Sequence, residues 1–285
     1  MPKTYNEIYL EARKKLRENG ISAHSLEARL IVAYAANKST DALMRELNLY
    51  TSDEVVRRVS ELVERRLGGE PVAYITGDWE FYGMPMLVTR DVLIPRMDTE
   101  VIVETAVSAL KGRKMDARVL DLCAGSGCIG CAIARELPAT HVVLADNSRA
   151  ALSVARQNVL KNRLNPRVTC VETDALATPP LMLGSFDLLT CNPPYIPTEE
   201  LGKLDSSVKD YEPMAALDGG ADGLDFYRAV VKKWHNVVRI GGMVIFEVGI
   251  GQAAEVAGMM KSSGMSNIGF AKDTLNIDRA VYGNI

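Results

Sequence analysis

Apolar positions recur at helical spacing through residues 1–70, cluster around turn formers over residues 71–95, and then gather into short runs separated by helical stretches. Thr4 followed by Glu7 has the spacing of a capping box, and Tyr5, Ile8, Ala12 and Leu16 continue one helical face until Asn19-Gly20 stops it. A second helix is predicted on the stripe Leu26, Leu30, Ala33 and Tyr34, ending near Asn37, and a shorter one centres on residues 43–47. Thr51 with Glu54 repeats the capping box ahead of Val55, Val59, Leu62 and Val63, and Gly68-Gly69 with Pro71 ends the series. Next, Trp79, Phe81 and Tyr82, then Gly83, then Met86, Leu87 and Val88 predict a β-hairpin. From about Ile94 onward, strand-like runs at 119–123, 141–146, 167–172, 186–192 and 243–248 alternate with helical ones. That alternation predicts an α/β fold with a mainly parallel sheet. Runs 267–272 and 280–285 have no long helix between them and are expected to pair antiparallel at one edge. The expected organisation is a helical domain over 1–70, a hairpin linker over 71–95 and an α/β domain over 96–285.

At 47% hydrophobic and 24% charged over 285 residues, the chain is a folded globular protein long enough for two cores. Its formal charge is -3, with 12 basic and 11 acidic residues in 1–70 and 21 against 25 in the remainder. Neither part has the basic excess of a protein that grips nucleic acid through phosphates, so no direct nucleic-acid partner is expected. Residues 1–10 place Lys3, Asn6 and Glu7 among the apolar positions, which is no signal-peptide core, and no later run approaches the ~20 apolar residues of a membrane span. A cytoplasmic location without membrane attachment follows as the expectation, and the five cysteines then read as reduced thiols. The helical block holds no catalytic constellation and reads as a substrate-docking domain.

Candidate chemistry begins after the run 119–123, where Ala124-Gly125-Ser126-Gly127-Cys128-Ile129-Gly130 leads into a helical segment. A strand, glycine turn and helix start bring backbone close to a nucleotide-like ligand. Gly125, Gly127 and Gly130 fit G-x-G-x-x-G, and Asp146 ends the next strand where a ribose-binding acid belongs, so an NAD-dependent oxidoreductase has to be considered. Asp121 within the first strand favours instead the D-x-x-x-G-x-G loop of S-adenosylmethionine methyltransferases. Cys123, Cys128 and Cys131 also have a plant-type iron–sulfur spacing. Two of them fall in a predicted strand and a predicted helix rather than an irregular loop, so buried thiols are the simpler reading and no metal centre is expected.

The run 186–192 passes directly into Asn192-Pro193-Pro194-Tyr195. Two prolines fix the backbone and remove two N–H donors, leaving carbonyls exposed where open α/β sheets bind ligands. The four groups suit methylation of a planar, sp2-bound nitrogen. The Asn192 side-chain oxygen and the Pro193 carbonyl can accept both N–H bonds of an amide or exocyclic amine, and Tyr195 can stack on the plane. No catalytic histidine is called for, because the nitrogen's proton becomes acidic only once the new bond forms. His24, His141 and His235 are scattered away from these motifs.

Further motifs follow in order: Ile94-Pro95-Arg96-Met97-Asp98-Thr99-Glu100, then Tyr211-Glu212-Pro213, Asp218-Gly219-Gly220-Ala221-Asp222-Gly223-Leu224, Glu247 with Gly249 and Gln252, and Asp273 with Asp278-Arg279. Together with the glycine loop, Asp146, Asp174 and the Asn-Pro-Pro-Tyr run, the chain resembles the PrmC (HemK) family, the N(5)-glutamine methyltransferases of peptide chain release factors. Met97 stands where that family has proline. The resemblance implies a class I S-adenosylmethionine-dependent methyltransferase domain, Rossmann-like with a seven-stranded sheet, behind a small helical amino-terminal domain and a hairpin linker. It implies as substrate the glutamine of the Gly-Gly-Gln motif in bacterial class I release factors, and S-adenosyl-L-methionine as cofactor. It assigns the cofactor to Asp121, Ala124, Gly125, Ser126, Gly127, Cys128, Asp146, Asn147, Asp174, Ala175 and Asn192, with Thr99 and Glu100 from the hairpin side. Catalysis falls to Asn192, Pro193 and Tyr195, and substrate binding to the same three with Pro194. A monomer is the expected state. The competing reading is an amino-methyltransferase acting on adenine or guanine of nucleic acid, which shares Asn-Pro-Pro-Tyr but needs a basic channel for the strand.

Overall fold

The structure is a computed structural model that describes residues 2–111 and 116–285. Met1 and residues 112–115, counted above in the helical and α/β domains, lie outside the described residues. The chain divides into two units, one of Met1–Asp78 with Ser206–Tyr211 and one of Trp79–Asp205 with Glu212–Ile285.

The first unit is helical: α1 (Tyr5–Glu18), α2 (His24–Ala35), α3 (Thr40–Arg45), α4 (Asp53–Leu67) and α5 (Val72–Thr76). The Thr4/Glu7 capping box is present, and Ile8, Ala12 and Leu16 are the buried face of α1. The second expected box is not. Ser52 is the cap of α4, its side chain accepting from the Val55 amide, while Thr51 is buried and its own amide donates to the Lys3 carbonyl at 2.8 Å. The stripe on α2 is met only in part: Ala33 is buried, but Leu26 is 45% exposed, and Glu27, Ala28, Ile31 and Val32 also face the core. Glu27 is carried inside because it accepts the Arg66 guanidinium from α4 at 2.6 Å, a paired and hydrogen-bonded carboxylate. Helix α5 falls in a segment read as linker, although Val72, Ala73, Tyr74 and Ile75 are all buried.

The hairpin strands are β1 (Asp78–Phe81) and β2 (Met84–Leu87). Tyr82 and Gly83 between them have φ of 52° and 65°, the double left-handed turn that matches strand twist in a two-residue loop. After a turn at 97–99 come α6 (Glu100–Leu110), β3 (Arg118–Leu122), α7 (Cys128–Glu136), β4 (His141–Asp146), α8 (Arg149–Lys161), β5 (Val168–Glu172) and β6 (Phe186–Cys191). Then follow α9 (Ser206–Lys209) of the first unit's returning segment, α10 (Asp225–Lys233), β7 (Val238–Glu247), α11 (Ala253–Ser262), β8 (Ser266–Lys272) and β9 (Asp278–Asn284). Seven strands form one sheet in the order β5-β4-β3-β6-β7-β9-β8. Its pairings are parallel from β5 to β7, and β9 lies antiparallel between β7 and β8. The expected antiparallel edge is there, with β9 inserted one place inward.

Both faces of the sheet are covered, so the central strands are buried along nearly their whole length and mostly apolar, with Asp121 and Thr190 as buried polar exceptions. Ile102, Ile129, Ile133 and Leu188 belong to one core; Leu120, Leu189, Tyr227, Trp234 and Phe246 belong to the other. Asn158 on α8 is fully buried and satisfied: its Oδ1 accepts the Leu87 amide at 2.6 Å, and its Nδ2 donates to the Leu87 carbonyl at 3.0 Å and the Ser126 carbonyl at 2.9 Å. One side chain thus ties the hairpin to the glycine loop. The strand order reverses between β3 and β6, which opens a crevice beyond their carboxyl ends.

Candidate active site

The glycine loop leaves β3 through Cys123, at φ 59°, and enters α7 at Gly127, whose φ of 79° only glycine adopts without strain. Gly130 has another task. A Cβ there would stand 2.3 Å from Leu144 and 2.9 Å from Val142, so this glycine lets α7 lie on β4. Two carboxylates hold the loop from beneath and beside it. Asp121, with no exposure, accepts the Gly130 amide at 3.0 Å and the Thr190 hydroxyl at 2.9 Å. Asp146 accepts the Gly125 amide at 2.8 Å and the Ser148 amide at 2.9 Å. Burial raises the pKa of both groups, that of Asp121 to about 7, and the bonds they accept oppose the shift. The Gly125 amide that a pyrophosphate would need is therefore engaged, and a diphosphate there would meet the Asp146 carboxylate. The loop's own bonds disfavour the dinucleotide reading.

The Asn192-Pro193-Pro194-Tyr195 run emerges from β6 next to this loop, because β3 and β6 pair with Leu122 opposite Cys191. Between them lies a cleft, walled by the glycine loop on one side and by Asn192 and Pro194 on the other. Of the sequence-assigned residues, Thr99, Cys123's neighbours Ala124, Gly125 and Ser126, then Cys128, Asp146, Asn147, Ala175, Asn192 and Pro194 line it. The others stand behind or beside the wall. Asp121 and Gly127 support the loop from within, and Glu100 accepts the Tyr82 amide at 2.8 Å. Asp174 is exposed, capping its own turn by accepting the Leu176 amide at 2.8 Å. Pro193 is buried, and Tyr195 is half-buried with its hydroxyl 3.4 Å from Glu247 Oε1. Burial pushes the Tyr195 hydroxyl's pKa up, with the Glu247 charge adding to the rise.

Sequence reasoning gave no role to several wall residues: Val92, Leu93, Pro95, Arg96, Thr173, Pro213, Ala215, Ala216 and Phe226. The motif segments they come from are joined by Glu212, which accepts the Ile94 amide at 3.2 Å and the Arg96 guanidinium. A tie across more than a hundred residues leaves no local signal beyond the quoted motifs themselves. Trp234 anchors the Ala175 wall from below, its indole N–H donating to the Ala175 carbonyl at 2.9 Å. The cysteines around the cleft are free thiols, and burial raises Cys128 to about 12 and Cys131 well above the ordinary value. Protonated thiols are poor cluster ligands. Among the described residues no group of three or more His, Cys, Asp or Glu side chains is placed to hold a metal ion, and no helix is long and apolar enough to cross a membrane.

A reversed-order parallel sheet with an antiparallel edge, a glycine loop whose Gly125 amide is taken by Asp146 and an Asn-Pro-Pro-Tyr turn at the switch point define a Rossmann-like methyltransferase. Comparison with known proteins agrees. The family described as Methyltransferase small domain matches residues 98–204, and that described as PrmC N-terminal domain matches residues 7–77. The chain belongs to the release factor glutamine methyltransferase family. It is 41% identical over 273 residues to the release factor glutamine methyltransferase of Geobacter sulfurreducens, covering 96% of this chain and 94% of the relative. It is 37% identical over 276 residues to the protein of the same name from Agrobacterium fabrum, covering 95% and 94%. Among solved structures, the hMettl16 catalytic domain shares the fold at a TM-score of 0.59 and 15% identity, over 89% of this chain and 92% of that one.

Proposed function

We propose that this enzyme transfers a methyl group from S-adenosyl-L-methionine to the side-chain amide nitrogen of the glutamine in the Gly-Gly-Gln motif of bacterial class I release factors, in the cytoplasm. The observation that carries this reading is the position of Asn192 and Pro194 in the wall of the same cleft as the glycine loop and Asp146. Family membership supports the glutamine, since the curated relatives are named for it.

The cleft fits the cofactor. A Cβ on Gly125 would meet nothing within 4 Å, so backbone is open to a ligand there. Asp146 offers an acceptor to a ribose diol, with Asn147 beside it, and Ala175, Val92 and Ile129 give an apolar surface to a flat base. Ala124, Ser126, Cys128, Thr99 and Asn192 would enclose the remainder. Asp121, Gly127, Glu100 and Asp174 would act one step removed, by holding the loop and wall residues in place. When bound, S-adenosylmethionine supplies an electrophilic methyl on a sulfonium centre.

The chain's own part is to aim a poor nucleophile. An amide nitrogen's lone pair is delocalised into its carbonyl, so the nitrogen must be turned toward the methyl group and its growing positive charge must be met. The Asn192 side-chain oxygen and the Pro193 carbonyl accept the two N–H bonds, and these bonds strengthen as charge develops. Pro193 and Pro194 hold that backbone in one conformation, which lowers the ordering cost at the moment of reaction. Tyr195 packs against the amide plane. The proton leaves after transfer, and no side chain of the cleft has to remove it beforehand.

Incubating the purified protein with methyl-labelled S-adenosylmethionine and, separately, a class I release factor, RNA and DNA tests the reading. Label in the release factor alone is expected. Label only in nucleic acid would replace the glutamine by a base amine on the same four residues.

A further inference from the structure

The reaction motif has an unusual mechanical problem. Pro193 and Pro194 have no N–H, so two of its four residues cannot be fastened by donating backbone hydrogen bonds. The Ile196 amide, just beyond, donates to the Leu217 carbonyl at 3.0 Å, and the Gly219 amide donates back to Ile196 at 2.9 Å. Tyr195 is held at both ends, by Gln252 just after β7 and by Glu247, the last residue of β7. Gln252 donates from Nε2 to the Tyr195 carbonyl at 3.0 Å and to the Gly223 carbonyl at 3.4 Å, while its Oε1 accepts the Gly249 amide at 3.0 Å. Glu247, 3% exposed, accepts the Tyr195 hydroxyl at 3.4 Å. The surrounding backbone closes tightly on these bonds. A Cβ on Gly223 would lie 2.3 Å from the Tyr195 carbonyl oxygen and 2.8 Å from Gln252 Nε2, and one on Gly249 would lie 3.1 Å from the Tyr195 ring.

We infer that Gln252 and Glu247 are positioning residues for methyl transfer, Gln252 fixing the carbonyl of Tyr195 and Glu247 its hydroxyl, so that the ring and the adjoining Asn192-Pro193 acceptors stay aligned on the substrate amide. The inference rests on the methyl-transfer reading above and adds two residues that do not themselves line the cleft. The amide of Gln252 is suited to this because it must accept and donate at once, and no apolar or purely acidic side chain of the same length does both. The glycines at 223 and 249 keep a side chain out of the space through which Gln252 reaches Tyr195, and Gly219 lets its own backbone pack against that of Pro194 and Tyr195.

The test measures turnover on release factor, KM for release factor, and affinity for S-adenosylhomocysteine in Gln252→Leu, Gln252→Glu, Glu247→Gln and Glu247→Leu. Gln252→Leu should lose on the order of 10²-fold in kcat, the cost of a misplaced reacting group, with product affinity near wild type. Gln252→Glu keeps an acceptor for the Gly249 amide but cannot donate to Tyr195, and should lose as much. Glu247→Gln retains an acceptor for the Tyr195 hydroxyl and should keep most of the turnover that Glu247→Leu loses. Wild-type turnover in either Gln252 variant, or product affinity falling in step with kcat, overturns the inference, the latter because it marks a general collapse of the cleft. Should Gln252→Leu fail to fold, Gln252→Glu decides alone. Ratios are taken to the wild type on the substrate it methylates, so a wild type inactive on release factor counts against the proposed substrate, whereas an active wild type with unaffected variants counts against the clamp.

Discussion

Replacing Asp146 with alanine should weaken cofactor binding about tenfold to a hundredfold while the protein still folds. In the structure its two oxygens accept the Gly125 amide at 2.8 Å and the Ser148 amide at 2.9 Å, and the carboxylate lines the cleft. A hydrogen bond to a charged group contributes about 1.5 to 3 kcal/mol, so one lost ribose bond accounts for that range at about 1.4 kcal/mol per tenfold. The folding cost is smaller than two such bonds, because the Gly125 amide faces the open cleft and water can replace the acid. It remains about 1 to 3 kcal/mol, seen as a lowered melting temperature. Burial holds the Asp146 pKa above that of an ordinary aspartate, with the Ser148 and Gly125 bonds opposing. Protonation therefore begins at higher pH than for an exposed aspartate, and wild-type affinity should fall as pH is lowered, a dependence that Asp146→Asn removes. Titration calorimetry with S-adenosylmethionine across pH is the assay. Unchanged affinity in Asp146→Ala would refute the placement of the ribose.

Asn192→Ala should lower single-turnover methylation by ~10² to 10³ with a smaller effect on cofactor affinity, since the lost bond is strongest in the transition state; a near-wild-type rate with both substrates saturating would mean another group orients the amide. Tyr195→Phe should be milder than Tyr195→Ala in KM for release factor, because the ring contact survives loss of the hydroxyl. Gly130→Ala should destabilise by about 1 to 3 kcal/mol through overpacking against Leu144 and Val142, read by denaturant unfolding. It should leave residual cofactor affinity in the folded fraction, and selective loss of binding without loss of stability would return Gly130 to the ligand. Asp121→Asn should flatten the pH dependence of stability. The Asp121 carboxyl rises from 3.8 to about 7 on burial, so across that window the folded state keeps a proton that the unfolded state has released. Stability then falls as pH rises through the window, with the penalty fully present above about 7. Glu247, likewise raised to about 7, has the same sign, so the slope should shrink rather than vanish. An unchanged slope in unfolding curves taken across that range would contradict the assignment.

The strands of the α/β unit were legible because a strand buried on both faces has to be a short apolar run. The run 141–146 coincides with β4. Strand β7 was read from 243 and begins at Val238, since Gly241-Gly242 looks like a terminator in sequence but here sits beside an irregularity in the β6–β7 register. The errors in the helical unit have one cause: local signals that several residues could satisfy. Thr51 and Ser52 both suit a helix cap, and the choice was made by the Thr51 amide pairing with Lys3, a contact nearly fifty residues away. At the candidate site, the two segments that the structure brings to one cleft, the glycine loop and the Asn192–Tyr195 run, stand out in sequence because their short spacing fixes local geometry. What sequence left open was the division between residues that line the cleft and residues that hold it. Asp121 looks like a ligand-binding acid by position, and only the Thr190 hydroxyl on the neighbouring strand and the Gly130 amide reveal that its oxygens point into the fold.

The central claim concerns one nitrogen atom. Mass spectrometry of a class I release factor, digested after incubation with this protein and S-adenosylmethionine, locates the product directly. The account predicts the mass of one added methyl group on the peptide containing Gly-Gly-Gln, with fragment ions placing it on the glutamine side chain. It also predicts no such addition with Asn192→Ala. An unmodified peptide, or a methyl group on any other residue, would contradict it.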